Sequence, residues 1–472
     1  MKIIIAFLAT AILSVNTYAQ YSFKGSWEGK LNIGKELRIT IHIKDTGDHK
    51  FFGTMDSPDQ FSYDMPCDTV VINKDSVKIL VLNGKAEYQG KLTDSTSIVG
   101  IFKQNNAKLP LNLTKTYHPV TPNRPQTPKP PFPYKAEDIT YFNADASIQY
   151  GATITIPNGK GPFPAILLIT GSGQQNRDEE IFAHKPFAVI ADYLTKKGYI
   201  VLRVDDRGIG KSTGDFKSST TEDFMNDAKV SLNYLRSRKE VDKQKVGLLG
   251  HSEGGMIAPM IAATDKNINF IILLAGPGVK IRQLMEEQNV AVLEKSSVSK
   301  AAIDSYLVLY REIIESAINA GGDAQLSYAV ENEVKDWVSK TPPKLVSEAT
   351  HIYDDVSRDK YSNKMVDALS SKWYKYFLAA DPQKYLEQLS CKVLALNGEK
   401  DIQVIAKSNL AGIKSSLAKS KSPAYNTIEL KDTNHLFQKC KTCSVQEYGQ
   451  LDETFSPDAL KDISDWLNTN VN

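Results

Sequence analysis

Two rhythms of apolar and polar residues divide the chain. Between residues 21 and 115 short runs alternate at every second position, as in LRITIHI, DTVVIN, SVKILVL and SIVGIF. A period of two puts successive side chains on opposite faces of a pleated strand. This region, assigned to residues 20–115, therefore predicts an antiparallel sheet or small barrel. From residue 136 onward the runs become unbroken: AILLIT (165–170), YIVLRV (199–204), KVGLLG (245–250), FIILLAG (270–276), KVLALNG (392–398) and NTIELK (426–431). Helical stretches are predicted near 186–197 and 221–238, and a final helix opens at Ser456-Pro457-Asp458, a serine cap with proline at the first helical position. Strands this apolar are buried on both faces, so residues 136–472 predict an α/β fold with a mostly parallel sheet covered by helices on both sides.

Two segments break these rhythms. TYHPVTPNRPQTPKPPFPYK, residues 116–135, is too rich in proline for helix or sheet and predicts a semi-rigid linker. Between about 277 and 389 no buried strand occurs; LMEEQNVAVLEK, IDSYLVLYREIIESAI and KMVDALSSKWYKYFLAA are amphipathic helices. Inserted between two core strands, they predict a helical cap over one end of the sheet.

G-x-S-x-G occurs twice, at Gly250-His251-Ser252-Glu253-Gly254 and at Gly210-Lys211-Ser212-Thr213-Gly214. A nucleophilic serine on such a turn needs a buried strand before it and a tightly packed helix after it, with glycines where side chains would collide. Ser252 has both, KVGLLG before and the small-residue stretch GGMIAPMIAA after. Ser212 follows a strand that has already ended and precedes polar DFKSSTTED. A phosphate-binding loop there would need glycine where Asp205 stands. Serine must be paired with a base, and the base with an orienting acid. Of seven histidines, His435 directly follows the last predicted strand, and Asp401 lies just past KVLALNG. Loops after parallel strands gather at one edge of the sheet, where Ser252 also emerges. The candidate catalytic set is therefore Ser252, Asp401 and His435. The cluster Arg177-Asp178-Glu179-Glu180 is expected as a solvated loop, the alternative being a face toward substrate.

Four stretches, TGSGQQNRDE, VDDRGIGKS, GHSEGG and the NGEKD…NH pair, carry a resemblance from about residue 137 to the end. The chain resembles the α/β-hydrolases, close to their serine-aminopeptidase-like and bacterial carboxylesterase branch, and Ser252…Asp401…His435 is that superfamily's order. The opening Gly25-Ser26-Trp27-Glu28-Gly29 resembles the first strand of lipocalin-like barrels. The hydrolase resemblance implies an oxyanion hole made by the backbone N–H of Glu253 and by that of Ser172 or Gly173. The family commonly places a histidine-glycine pair in the latter loop; Thr170-Gly171 stands here. It implies a carboxylesterase acting on a small-molecule ester through an acyl-enzyme, with no cofactor and no metal. The alternatives are an exopeptidase of the same fold and an inert binding protein.

Charge and the chain's ends refine this picture. Lys+Arg 57 against Asp+Glu 55 leaves a formal charge of +2, without the concentrated basic patch a nucleic-acid partner needs. MKIIIAFLATAILSVNTYA, residues 1–19, reads as a secretory signal peptide cut after Ala19, so the protein is expected to be exported, to the periplasm or beyond. Its apolar run is too short to span a bilayer, and no later stretch is long and apolar enough. Export permits disulfides among Cys67, Cys391, Cys440 and Cys443, with three possible pairings. Cys440-x-x-Cys443 invites a redox or zinc reading, but it lacks two further ligands at zinc spacing and sits in a polar loop rather than opening a helix, which fits a local disulfide or plain thiols better than a redox pair. Oligomeric state is not legible.

Overall fold

A computed structural model describes residues 22–45, 47, 50–81, 85–105 and 107–471. Residues 1–19, expected as a signal peptide, lie outside them. The chain divides into two units, one ending at Pro122 and one running from Asn123.

The first unit is one antiparallel sheet. Its strands are β1 (Gly25–Asn32), β2 (Glu36–Asp45), β3 (Phe51–Ser57), β4 (Ser62–Pro66), β5 (Thr69–Asn73), β6 (Ser76–Val81), β7 (Ala86–Leu92), β8 (Ser97–Gln104), β9 (Ala107–Pro110) and β10 (Leu113–Thr116). They run in the order β4-β3-β2-β1-β10-β8-β7-β6-β5, with β9 beside β8. Consecutive residues link the strands next to the two ends of this path: the Cys67 amide donates to Gly53 O on β3 and the Asp68 amide to Leu80 O on β6. Alternate positions point inward, and Trp27, Ile41, Ile79, Tyr88 and Ile98 fill the interior. The Cys67 thiol is buried there and its pKa is pushed up to about 11 by burial.

The proline-rich segment is not free along its whole length. From Asn123 on it belongs to the second unit. Arg124 donates to the carbonyls of Leu451, Phe182 and Gly449 at 2.8–2.9 Å. Gln126 donates to Phe455 O and accepts from the Thr454 amide.

The second unit holds a sheet of β11 (Lys135–Phe142), β12 (Gln149–Ile156), β13 (Phe163–Ile169), β14 (Ile200–Val204), β15 (Val241–His251), β16 (Phe270–Leu274), β17 (Lys392–Gly398) and β18 (Tyr425–Leu430). The order is β11-β12-β14-β13-β15-β16-β17-β18. The first two strands are antiparallel, and β14 through β18 are mutually parallel. The continuous apolar runs follow from this, since both faces are covered. Helices α1 (Pro186–Lys196) and α13 (Pro457–Asn470) pack on one face; α2 (Thr221–Ser237) and α11 (Ala406–Leu417) pack on the other. Helix α3 (Gly254–Thr264) contributes to both cores, and α12 (Val445–Tyr448) is a single turn. Between β16 and β17 come α4 (Ile281–Lys295), α5 (Lys300–Asn319), α6 (Asp323–Lys340), α7 (Pro343–Thr350), α8 (Asp355–Ser370), α9 (Lys372–Ala379) and α10 (Gln383–Leu386), with an apolar core of their own. Among the described residues no helix is long and apolar enough to cross a membrane.

Strand order reverses between β13 and β15, and crevices at the carboxyl ends of such strands are where open α/β sheets bind ligands. The chain is squeezed there. A Cβ on Gly250 would lie 2.0 Å from Gly254 O, and one on Gly254 would lie 2.2 Å from Ile169 O. No side chain fits between strand, turn and helix. Gly250→Ala must shift backbone and is expected to cost about 1–3 kcal/mol or more. In a unit of this size that lowers the melting temperature by about 2–4 °C. Gly322→Ala, with nothing within 4 Å of its added carbon, should stay within about 1 °C. Equal melting of the two variants by calorimetry would contradict this packing account.

Candidate active site

Four loops meet at the carboxyl edge of the parallel strands: those after β13, β15, β17 and β18. Ser252, between β15 and α3, has φ 51, the left-handed region. A non-glycine residue there is strained, and the surrounding structure must hold it. Its amide donates to Leu274 O and its carbonyl accepts from the Gly255 amide, both at 2.8 Å. The following residues begin α3, whose N-terminal amides point at the turn.

Asp401 and His435 come together from the loops after β17 and β18. The Asp401 Oδ2 to His435 Nδ1 distance is 2.7 Å, and both side chains are almost fully buried. The other carboxylate oxygen accepts from the amides of Gln403 and Val404 at 2.7 and 2.9 Å. A carboxylate accepts only, so His435 carries a proton on Nδ1 and Nε2 is left as the acceptor. Ser212, the other glycine-flanked serine, is buried; its hydroxyl donates to Asp205 O and accepts from the Gly151 amide. It braces a turn.

In the loop after β13, the amides of Gly171, Gln175 and Arg177 are taken by Glu179, Asp206 and Asp205. Among the described residues the amides of Ser172, Gly173 and Glu253 have no protein acceptor.

The acidic cluster in this loop differs from its expected solvated state. Arg177 makes a two-pronged pair with Asp205 and also reaches Thr153 and Asp138. Asp178 pairs with Arg203. Glu179 is buried, accepting from the Gly171 amide at 2.7 Å and meeting His251 Nδ1 at 3.0 Å. Packing of this loop against β12, β14 and β15 buries Glu179 and leaves Arg177, Asp178 and Glu180 half-buried. The only sequence signal for it was the density of charge directly after a buried strand.

Two further carboxyls lie beside the loop, lining a cavity of about 50 Å³ with Tyr150, Thr170 and Arg207. Asp206 is pushed up to about 8, by burial first, with the Glu179 and Glu253 carboxyls adding to it against bonds from Gln175 and Thr170. Burial also raises Glu253, whose Oε1 accepts from Thr221 Oγ1 at 2.5 Å and from Trp373 Nε1 of cap helix α9 at 2.9 Å. Cys440 and Cys443 form a disulfide in the loop after His435. With Glu447 they are a close group of metal-type side chains, but the sulfurs are bonded to each other and Glu447 accepts from the amides of Lys441 and Cys443. That group does not fit a metal.

The family model described as serine aminopeptidase, S33, matches residues 184–418, which include Ser252 and Asp401 and stop short of His435. The chain belongs to the α/β-hydrolase superfamily. Among curated relatives of this chain, esterase EstD of Thermotoga maritima is 38% identical over 135 residues, 29% of this chain and 32% of its own. The Bacillus subtilis protein YtaP, named as a hydrolase, is 30% identical over 146 residues, 28% of this chain and 48% of its own. The chain thus spans about a third to a half of the length of these relatives. An esterase of Pyrococcus furiosus of solved structure aligns over 75% of this chain and 99% of its own at 13% identity, with a TM-score of 0.43.

Asp206 gives a stability prediction. Its carboxyl keeps a proton to about pH 8 when folded but releases it near 3.8 when unfolded. The unfolded state therefore binds fewer protons between those values, and stability falls as pH rises through that window. Asp206→Asn matches the protonated acid in shape and hydrogen bonding. Its melting temperature should gain on the parent's by several degrees between pH 4 and 8. Parallel melting curves across that range would contradict the assignment.

Proposed function

We propose that the chain hydrolyses small carboxylic esters through an acyl-enzyme on Ser252. The observation that carries this reading is the buried Asp401–His435 pair, at the same sheet edge as the strained Ser252 turn. Asp401 holds the proton on Nδ1 of His435, and Nε2 takes the proton from the Ser252 hydroxyl as Oγ bonds to the ester carbonyl carbon. The carbonyl oxygen becomes an oxyanion, held by the amide of Glu253 and that of Ser172, with Gly173 adjoining. Collapse breaks the ester C–O bond, and His435 returns its proton to the departing alcohol. Water then attacks the acyl carbon, giving its proton to His435, and the acid leaves as Ser252 recovers its hydrogen.

Local charge supports this chemistry. An oxyanion beside three carboxylates would be repelled. Burial keeps Asp206 and Glu253 toward their neutral forms, and Glu179 faces His251.

A serine aminopeptidase is the second reading, favoured by the description of the matching family model. Export is part of the proposal: amino-terminal sequencing of protein recovered outside the cytoplasm should begin at Gln20, and a retained Met1 would contradict it.

On p-nitrophenyl acetate and butyrate the enzyme should turn over. Ser252→Ala should abolish fluorophosphonate labelling, and Asp401→Asn should lower kcat by about 10⁴-fold by removing the acceptor for the Nδ1 proton. Turnover of amino-acid anilides without ester turnover would move the assignment to the peptidase. Absence of labelling in the folded parent would favour a binding role.

A further inference from the structure

One buried chain of contacts links the two halves of the site. Glu179 Oε1 accepts the Gly171 amide at 2.7 Å, and the same oxygen lies 3.0 Å from His251 Nδ1. The other ring nitrogen of His251, Nε2, lies 3.0 Å from the backbone carbonyl of His435. His251 ends β15 and immediately precedes Ser252. Its ring is tilted against that of His435, centroids 4.8 Å apart.

A carbonyl oxygen only accepts, so Nε2 bears a hydrogen. As a carboxylate, Glu179 accepts the Gly171 N–H and a second N–H from Nδ1. Both ring nitrogens then donate, which is the imidazolium form. The groups facing it are Glu179, His435 and, more distantly, Asp401; Asp206 faces Glu179. Burial works against the charge, but the Glu179 carboxylate outweighs it and the His251 pKa stands above its ordinary value.

The loop is also pressed against this pair. A Cβ on Gly171 would lie 3.2 Å from Ser252 Cβ, 3.3 Å from Glu179 Oε1 and 3.5 Å from His251 Nδ1. Gly171 directly precedes the Ser172 amide, and the His435 carbonyl belongs to the residue that holds the base. Movement of the pair moves both.

We infer that Glu179 and His251 are an ion pair that clamps the oxyanion loop and the His435 loop to the nucleophile turn. They act as positioning residues for the hydrolysis, touching no substrate, and this role rests on the reading of Ser252 and His435 as nucleophile and base. Glu179→Gln removes the charge, and His251→Asn removes the reach to His435. Neither changes a reacting group. With p-nitrophenyl butyrate each should lower kcat about 10–100-fold, somewhat less than the loss of an oxyanion donor. KM should stay within about twofold, because ground-state binding is untouched. Full kcat in either variant, folded by circular dichroism, overturns the inference.

Should both variants fail to fold, nitrogen NMR of the imidazoles in the unaltered protein decides. At about pH 7.5 both His251 nitrogens should be protonated, and a single protonated nitrogen overturns the ion pair. The readouts separate the two claims. Failure of ester turnover and labelling in the parent removes the hydrolytic reading, while the NMR result still settles the pair.

Discussion

The site depends on the closeness of three backbones at the end of β15. Gly250, Gly254 and the carbonyl of Ile169 meet at distances that leave no room for a side chain. That contact forces the chain to reverse within two residues and puts Ser252 in the left-handed region. The strain of the turn is sustained by the packed strand before it and the apolar helix behind it, whose residues from Gly254 to Ala263 are all buried. Once the turn is fixed, the neighbouring strand ends determine where the other loops can lie. The loop after β13 must pass Gly171 over Ser252, and the loops after β17 and β18 must deliver Asp401 and His435 to the same edge.

The second constraint is electrostatic. Acids crowd this edge: Glu179, Asp205, Asp206, Glu253 and Asp401. They are accommodated in two ways. Asp205 is paired with Arg177, Glu179 with His251 and Asp401 with His435. Asp206 and Glu253 are shifted toward their neutral forms by burial. Buried charges without such partners cost several kcal/mol each. The pairing is therefore a condition of folding as well as of chemistry. Glu253 also connects the turn to the cap, since its side chain receives Trp373 of α9 while its own amide faces the proposed oxyanion position.

Much of this was legible in the residues. Continuous apolar runs marked the buried parallel strands, and period-two alternation marked the antiparallel unit, because burial on one face or two leaves different patterns. Placement beyond successive strand ends singled out Asp401 and His435, which the structure brings to hydrogen-bond distance. What the pattern could not carry was side-chain partnership. Arg177-Asp178-Glu179-Glu180 has the composition of a solvated loop, and only the folded loop shows Glu179 turned inward onto His251. His251, adjacent to the serine, shows its partners only once the loops after β13 and β18 close on it. The proline-rich segment likewise looked uniform, yet Arg124 and Gln126 fasten its second half to carbonyls more than 300 residues away along the chain.

The central claim is that Ser252 becomes covalently acylated. The most direct measurement is rapid acid quenching of the enzyme with p-nitrophenyl acetate, followed by peptide mass spectrometry. The account predicts an acetyl group on the peptide containing Ser252, formed with the burst of p-nitrophenol and lost on the timescale of turnover. Release of p-nitrophenol with no covalent adduct, or an adduct on another residue such as Ser212, would contradict it.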